Sequence, residues 1–168
     1  MLSRIRKRLP KLMLELLILL LMVWAMEAFL TRNAVSGMAP GFTAQTIQGE
    51  VFELKSLRGH PAVIHFWGTW CPICELEQGT VDALADDYPF ISVAMQSGSE
   101  EEVRAYLKTE GVDYPVVNDP EGALSRRYGV SAVPATFVID AGGKVRFVTR
   151  GYTSGLGLRL RLWLAGLF

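Results

Sequence analysis

The chain has 168 residues, of which 50% are hydrophobic and 20% are charged, a composition that excludes a disordered protein. Its formal net charge is zero, but five basic residues and no acidic residue lie among the first eleven positions. The rest of the chain therefore holds 12 basic and 17 acidic residues, which argues against nucleic acid as a partner. Its length suits one domain with one hydrophobic core.

An apolar segment extends from Leu12 to Leu30 and is interrupted only by Glu15 and Glu27. Its 19 residues are close to the roughly 20 that a helix needs to cross a bilayer. Basic residues precede the segment and only Arg32 follows closely, so the positive-inside rule places residues 1–11 in the cytoplasm and exports the chain that follows. The two glutamates lie near the ends of the span, where they reach the headgroups. We predict a single transmembrane anchor.

A cleaved signal peptide is the alternative, with a weak small-residue cleavage site at Ala34–Ser36. The apolar stretch is longer than that of most signal peptides, which favours the anchor. We therefore predict a cytoplasmic segment 1–11, an anchor 12–30, a tether 31–38 and one folded domain 39–168. Export would place the cysteines where disulfides persist.

The exported part alternates between strand and helix patterns. Alternating residues around a Gly-Glu turn predict a hairpin within 42–57. The apolar run 62–67 predicts a strand buried on both faces, and the spacing that follows predicts a helix from Cys71 to about Tyr88. We expect the buried face of this helix to contain Leu76, Val81, Leu84, Ala85 and Tyr88.

The remaining elements complete an α/β sandwich with a central mixed sheet. The predicted elements are a strand at 90–96, a capped helix at 99–111, a short strand at 114–119, a short helix ending at Gly129, a hairpin of 134–140 and 144–151, and a final helix within 156–168. We expect the final helix to cover the sheet with Leu156, Leu160, Trp163, Leu164 and Leu167.

Both cysteines lie in the stretch FWGTWCPICELE, residues 66–77. A closed zinc site needs four ligands, and the chain has only Cys71, Cys74 and two histidines. Binding of Cu(I) by the two cysteines stays an alternative, because Cu(I) accepts soft thiolate ligands at low coordination number. A structural disulfide would close a very short loop and would remove little entropy from the unfolded chain. A redox-active dithiol fits best, because a helix N-terminus stabilises a thiolate.

The spacing of the pair suggests different roles for its members. With Cys71 as N-cap and Pro72 at the first helical position, the sulfur of Cys71 is expected to accept hydrogen bonds from the amides of Ile73 and Cys74. We expect Cys71 to be the exposed, attacking thiol. Cys74, one turn inside the helix, would then break the mixed disulfide that Cys71 forms with a substrate.

Two long stretches resemble the thioredoxin-like superfamily: APGFTAQTIQGEVFELKSLRGHPAVIHFWGTWCPIC, residues 39–74, and YGVSAVPATFVIDAGGKV, residues 128–145. The resemblance is closest to its membrane-anchored bacterial branch, the exported thiol-disulfide oxidoreductases of the cytochrome c maturation and copper-sensitivity-suppressor kinds. It implies a thioredoxin fold with an N-terminal hairpin extension and a helix-strand insertion at about 99–118, preceded by one transmembrane helix.

The resemblance also implies site residues. Pro134 would be a cis-proline that faces the cysteines, and Glu77 falls on an acidic position that this branch uses beside its active site. Trp70 is expected on a substrate-facing rim, because polar residues before it indicate a surface loop. The other substrate-facing candidates are Pro72, Ile73 and Val133.

Two positions depart from the common pattern. His65 stands where many thioredoxins carry a buried aspartate, so either His65 or Glu77 could accept the proton of the resolving cysteine. Proline precedes isoleucine between the cysteines, whereas reducing members commonly place proline second. The direction of electron transfer therefore stays open.

We predict a thiol:disulfide oxidoreductase anchored in the bacterial inner membrane, facing the periplasm and favouring the reducing direction. The expected partners are exported proteins with thiols or disulfides and a membrane protein that recycles the pair, with no cofactor beyond Cys71–Cys74. One alternative is a Cu(I)-binding module of a copper-tolerance system. Another is a peroxidase, because the opening Ala39–Phe42 looks shared with peroxiredoxins, although no cysteine occurs outside the pair.

Overall fold

The computed structural model describes residues 13–15, 17–19, 21, 22, 25 and 34–168. The chain divides into two compact units, residues 1–32 and 33–168. In the first unit the described residues between 13 and 25 are helical. Among the described residues there is no helix with the length and apolar character needed to cross a bilayer. The predicted segment 1–11 and much of the anchor 12–30 lie outside the described residues, so both stay predictions.

The second unit is built on a six-stranded mixed sheet in the order β1-β8-β7-β4-β5-β6, with a separate two-stranded hairpin β2-β3. The strands are β1 (Gly37–Met38), β2 (Thr43–Gln45), β3 (Val51–Glu53), β4 (Ala62–Trp67), β5 (Phe90–Met95), β6 (Val116–Asp119), β7 (Ala135–Ile139) and β8 (Lys144–Arg150). The helices are α1 (Pro72–Asp87), α2 (Glu100–Glu110), α3 (Ala123–Arg127) and α4 (Gly155–Ala165), with a 3-10 helix at Leu54–Leu57. Strands β4, β5 and β6 are parallel, whereas β7 is antiparallel to β4, β8 to β7 and β1 to β8. The predicted α/β sandwich is confirmed.

Strand β4 divides its side chains between the two faces of the sheet. Val63 and Trp67 enter the apolar cluster beneath α1, α2 and α4. Ile64 and Phe66 enter the cluster on the other face, with α3 and the 3-10 helix. This alternation follows from the two-residue period of a strand. His65, between Ile64 and Phe66, therefore points to the face that carries α1.

The predicted hairpin and insertion are both present. The hairpin pairs Thr43 with Glu53, and the insertion adds helix α2 and edge strand β6. Helix α2 begins with a reciprocal capping box between Ser99 and Glu102 and ends at Gly111, whose φ is +69°. A left-handed C-cap of this kind favours glycine.

The sheet begins earlier than the predicted domain boundary at residue 39. Gly37 and Met38 pair with Val145 and Lys144 as an edge strand, and the amide of Val35 donates to the carbonyl of Tyr128 at 3.2 Å. The end of the predicted tether is therefore part of the sheet. Composition missed this contact because backbone pairing does not depend on large side chains.

The predicted buried face of α1 is partly wrong. Val81 and Leu84 are buried as expected, but Leu76 is 77% exposed. Glu77 and Gln78 are buried instead. Near its N-terminus, this helix turns polar side chains toward the sheet and an apolar side chain toward solvent.

The predicted face of α4 is wrong. Leu158, Leu162 and Ala165 are buried. Leu156, Leu160, Trp163 and Leu167, which were expected to cover the sheet, are exposed, and Leu164 is only half-buried. The observed face keeps the four-residue spacing of a helix, but it lies on the other set of leucines.

Replacing Leu158 by alanine tests this assignment. The side chain is 2% exposed, so its loss should leave a cavity and cost about 2–5 kcal/mol of unfolding free energy. The matched control is Leu160→Ala, which should change the unfolding free energy by no more than about 0.5 kcal/mol. Denaturant unfolding of the two variants gives the comparison, and a larger loss for Leu160→Ala would restore the predicted face.

Candidate active site

The two cysteines lie at the N-terminal end of α1, just after the loop that connects it to β4, and they form a disulfide. Cys71 is the N-cap of α1 with extended backbone, and Pro72 occupies the first turn, as predicted. The sulfur of Cys71 accepts a hydrogen bond from the amide of Cys74 at 3.1 Å. The second predicted bond, from the amide of Ile73, does not form in the described part of the chain. The pair is thus fixed at the positive end of the helix dipole.

The expectation that Cys71 is exposed is wrong for this disulfide form. Cys71 is 6% exposed and Cys74 is 5% exposed, so burial does not distinguish them. Both sulfurs pack into the apolar cluster beneath α1. The carbonyl oxygen of Val133 lies 3.7 Å from the sulfur of Cys71 and covers it from the side of β7.

The Val133–Pro134 peptide bond is cis, which agrees with the prediction for Pro134. It stands directly before β7, the antiparallel neighbour of β4. The segment after β4 and the segment before β7 therefore meet at the cysteines. The other predicted substrate-facing residues, Pro72 and Ile73, are exposed in the first turn of α1.

Trp70 is 53% exposed and yet held in place. Its indole N–H donates to the carbonyl oxygens of Met95 and Gln96, at 3.2 and 3.1 Å. The neighbouring Thr69 amide donates to the hydroxyl of Ser97 at 3.1 Å. The loop after β5 thus fixes the loop before the cysteines. Gln96 and Ser97 were not predicted, because a contact with a loop distant in sequence leaves no local pattern.

Gly68 lets the indole of Trp70 lie against the backbone. A Cβ at position 68 would lie 2.8 Å from Cε2 and Nε1 of Trp70. Gly68→Ala should displace the indole, weaken its two hydrogen bonds and cost about 1–3 kcal/mol. Faster hydrogen exchange of the Trp70 indole N–H would report the displacement.

The control for this prediction is Gly79→Ala in α1, where an added Cβ has no neighbour within 4 Å. A helical alanine there should be neutral or stabilising by up to about 1 kcal/mol. An unchanged exchange rate for the Trp70 indole in Gly68→Ala would contradict the proposed constraint.

A buried polar pair lies on the α1 side of β4. Glu77 is 1% exposed, and its Oε2 accepts a hydrogen bond from the amide of Thr153 at 3.0 Å. Its Oε1 lies 3.8 Å from Nε2 of His65, which is 2% exposed. Nδ1 of His65 lies 2.9 Å from the hydroxyl of Thr136. Thr136 and Thr153 are site residues that were not predicted.

Burial shifts both groups toward their neutral forms. Burial raises the pKa of Glu77 from 4.5 to about 7, and the hydrogen bond from Thr153 opposes this rise. Burial lowers the pKa of His65 from 6.5 to about 3. At neutral pH His65 is therefore uncharged, and its contact with Glu77 is not an ion pair. The carboxyl of Glu77, by contrast, gains or loses its proton near pH 7, where thiol-disulfide exchange takes place.

Glu77 stands three residues after Cys74 on α1, so both side chains lie on one face of the helix and both are buried. A carboxyl with a pKa near 7 can take a proton from a thiol and return it. Within the described residues, no three histidine, cysteine, aspartate or glutamate side chains cluster as a metal site would require.

Comparison with known proteins assigns the chain. The AhpC/TSA family model matches residues 35–148. A thioredoxin-like protein of Haemophilus influenzae is 35% identical over 164 residues, which cover 96% of this chain and 98% of that protein. The thiol-disulfide oxidoreductase ResA of Geobacillus thermodenitrificans is 30% identical and covers 86% of this chain and 90% of its own.

A solved structure agrees with these relatives. A secreted Mycobacterium tuberculosis disulfide oxidoreductase, described as homologous to E. coli DsbE, superposes with a TM-score of 0.64 at 30% identity, covering 73% of this chain and 95% of that one. Together with the disulfide at the start of α1, these matches confirm the predicted thioredoxin-like fold. The chain belongs to the AhpC/TSA family and is a thioredoxin-like thiol-disulfide oxidoreductase of the ResA/DsbE type, with Cys71–Cys74 as its cysteine pair.

Proposed function

We propose that this protein is anchored in the bacterial inner membrane, faces the periplasm and reduces disulfides in exported proteins. The observation that carries the chemistry is the arrangement of Cys71 as N-cap, Cys74 one turn later and the buried carboxyl of Glu77 on the same helix face. This arrangement supplies an attacking thiol, a resolving thiol and a proton acceptor without any cofactor.

In the reducing direction the thiolate of Cys71 attacks one sulfur of a substrate disulfide. A mixed disulfide forms, and the other substrate sulfur leaves as a thiolate. Cys74 then gives its proton to Glu77, and its thiolate attacks the sulfur of Cys71. The Cys71–Cys74 disulfide forms, the second substrate thiolate leaves, and two electrons have passed to the substrate. The oxidising direction reverses these steps.

The membrane location is supported by sequence. The apolar residues 12–30 follow five basic residues, a charge pattern that favours a cytoplasmic N-terminus. A reductant in an oxidising compartment needs a source of electrons, so we expect a membrane protein to re-reduce the pair. Protease digestion of intact spheroplasts tests the orientation, because a periplasmic domain is cut from outside and a cytoplasmic one is protected.

The direction is tested by the reduction potential of the pair, equilibrated against glutathione and read by alkylation. A potential near or below about −250 mV would support a reductant. A potential near −120 mV, about that of a strong oxidant, would make the protein a disulfide donor and would overturn the reducing assignment.

The two alternatives are tested on the reduced protein. A Cu(I)-binding module predicts that saturating copper protects both cysteines from alkylation, so free alkylation of Cys71 under copper would exclude it. The peroxidase alternative rests on the opening Ala39–Phe42. Peroxide consumption no faster than that of dithiothreitol would exclude it.

A further inference from the structure

His65 is a buried titratable group that the exchange steps above leave without a role. It lies in β4 opposite Thr136 of β7, with Nδ1 2.9 Å from the hydroxyl of Thr136 and Nε2 3.8 Å from Oε1 of Glu77, a separation longer than a hydrogen bond. All three side chains are at most 3% exposed.

The ring is poorly suited to accept the proton itself. Protonation would create a charged imidazolium inside the apolar cluster, which burial disfavours strongly. A neutral imidazole has one N–H and one free lone pair, and either nitrogen can carry the hydrogen. The hydroxyl of Thr136 can donate or accept. The carboxyl of Glu77 accepts when ionised and donates when protonated.

We propose that His65 is the positioning residue of Glu77, a neutral ring whose tautomer follows the protonation state of that carboxyl. With Glu77 ionised, Nε2–H of His65 points to Oε1, and Nδ1 accepts from the hydroxyl of Thr136. With Glu77 protonated, its O–H points to Nε2, and Nδ1–H donates to Thr136. One proton enters the site in this change, the carboxyl loses its negative charge, and the ring only moves its hydrogen between nitrogens.

The surroundings of Glu77 favour this placement of the proton. Oε2 accepts a hydrogen bond from the amide of Thr153, which lies in the segment before α4. When Glu77 is protonated, the proton therefore belongs on Oε1, which faces His65 of β4. Tyr114, from the segment before β6, is a further titratable group whose pKa Glu77 affects, and burial holds that pKa far above neutral. Cys74 faces the same cluster from α1. His65 is therefore the neighbour of Glu77 whose hydrogen can change position near pH 7.

The experiment is side-chain nitrogen NMR on the full chain, labelled with ¹⁵N-histidine, oxidised and held in detergent micelles. The chain contains only two histidines, and the exposed His60 provides a reference ring in the same sample. Between pH 5.5 and 8.5 we expect Nε2 of His65 to change from the unprotonated to the protonated range, while Nδ1 changes in the opposite sense. In Glu77→Gln both signals should stay constant over this range.

Two outcomes would overturn the proposal. Protonation of both nitrogens in this pH range would make His65 the acid-base group itself. An unchanged tautomer while the carboxyl of Glu77 titrates would leave His65 as a packing residue. The infrared band of the protonated carboxyl follows that titration independently.

A pair of variants links the ring to the reaction. His65→Phe keeps a ring of similar shape without nitrogens, so the pH midpoint for attack of Cys74 on a mixed disulfide should rise by about one unit. His65→Gln restores a group that donates and accepts, and it should return the midpoint toward that of the native protein. Equal midpoints in all three proteins would contradict the proposal.

The inference deepens the proposed function, because it assigns His65 a role through Glu77 as proton acceptor. The two fail separately. Absence of disulfide exchange would remove the proposed function but would leave the coupled titration of His65 and Glu77 measurable by NMR.

Discussion

Replacing Cys74 by serine is expected to stop the reaction at the mixed disulfide and to leave a substrate covalently attached to Cys71. The variant retains the N-cap thiol, which the first turn of α1 stabilises as a thiolate. It lacks the second thiol that would release the substrate. Incubation with a peptide disulfide, followed by non-reducing mass spectrometry, should show one peptide on Cys71 and no multiple turnover.

The control is Cys71→Ser, which should neither turn over nor hold the peptide. This comparison is needed because the two cysteines are buried to nearly the same extent, at 6% and 5% exposed. The attacking role of Cys71 follows instead from its position. Its sulfur accepts the amide of Cys74 at the helix start and lies beside the carbonyl of Val133, near the exposed Ile73 and Trp70. Accumulation of the adduct on Cys71→Ser would reverse the assignment.

The order of strands and helices was predictable because buried strands and capped helices have distinct patterns. Strand β4 is an apolar run interrupted only by His65, and Ser99 with Gly111 bounds α2. The buried face of α4 was not predictable. Leucines occupy positions 156, 158, 160, 162 and 164, so two faces have helical spacing, and only packing against the sheet chooses between them.

At the site, too, features set by neighbouring residues were predictable, whereas contacts between residues far apart in the sequence were not. The spacing of the cysteines and Pro72 predicted the N-cap geometry, and the family resemblance predicted the cis bond at Pro134. The burial of Glu77 was hidden, because a glutamate near the start of a helix is favourable even in solvent. Its partner Thr153 lies 76 residues away and contributes a backbone amide, which no side-chain pattern reveals.

Replacing Glu77 by glutamine is the second variant with a large expected effect. An amide cannot take the proton of Cys74, so its attack on the mixed disulfide should slow by about 100-fold near pH 7. The first attack by Cys71 should be much less affected. Stopped-flow measurement of the two phases with a peptide disulfide separates them.

The matched control is Glu75→Gln, which removes a carboxylate from the exposed side of the same helix. It also removes an acidic side chain near the helix start, but it leaves the buried carboxyl in place. Equal slowing in both variants would show that the charge of the helix terminus, and not proton transfer to Glu77, controls the rate.

Glu77→Gln should also change how the unfolding free energy depends on pH, and the sign of that change follows from the pKa of Glu77. In the folded protein the pKa of Glu77 is raised from 4.5 to about 7 by burial, so the folded state keeps a proton that the unfolded chain has released. This contribution to stability is fully present below about pH 4.5 and is lost as the pH rises through about 7. Glutamine stays neutral throughout. The unfolding free energy of the oxidised Glu77→Gln protein, relative to the native protein, should therefore rise by about 3 kcal/mol between pH 4 and pH 8. A difference that does not change with pH would mean that Glu77 is ionised at neutral pH, and the thiol of Cys74 would then need another acceptor.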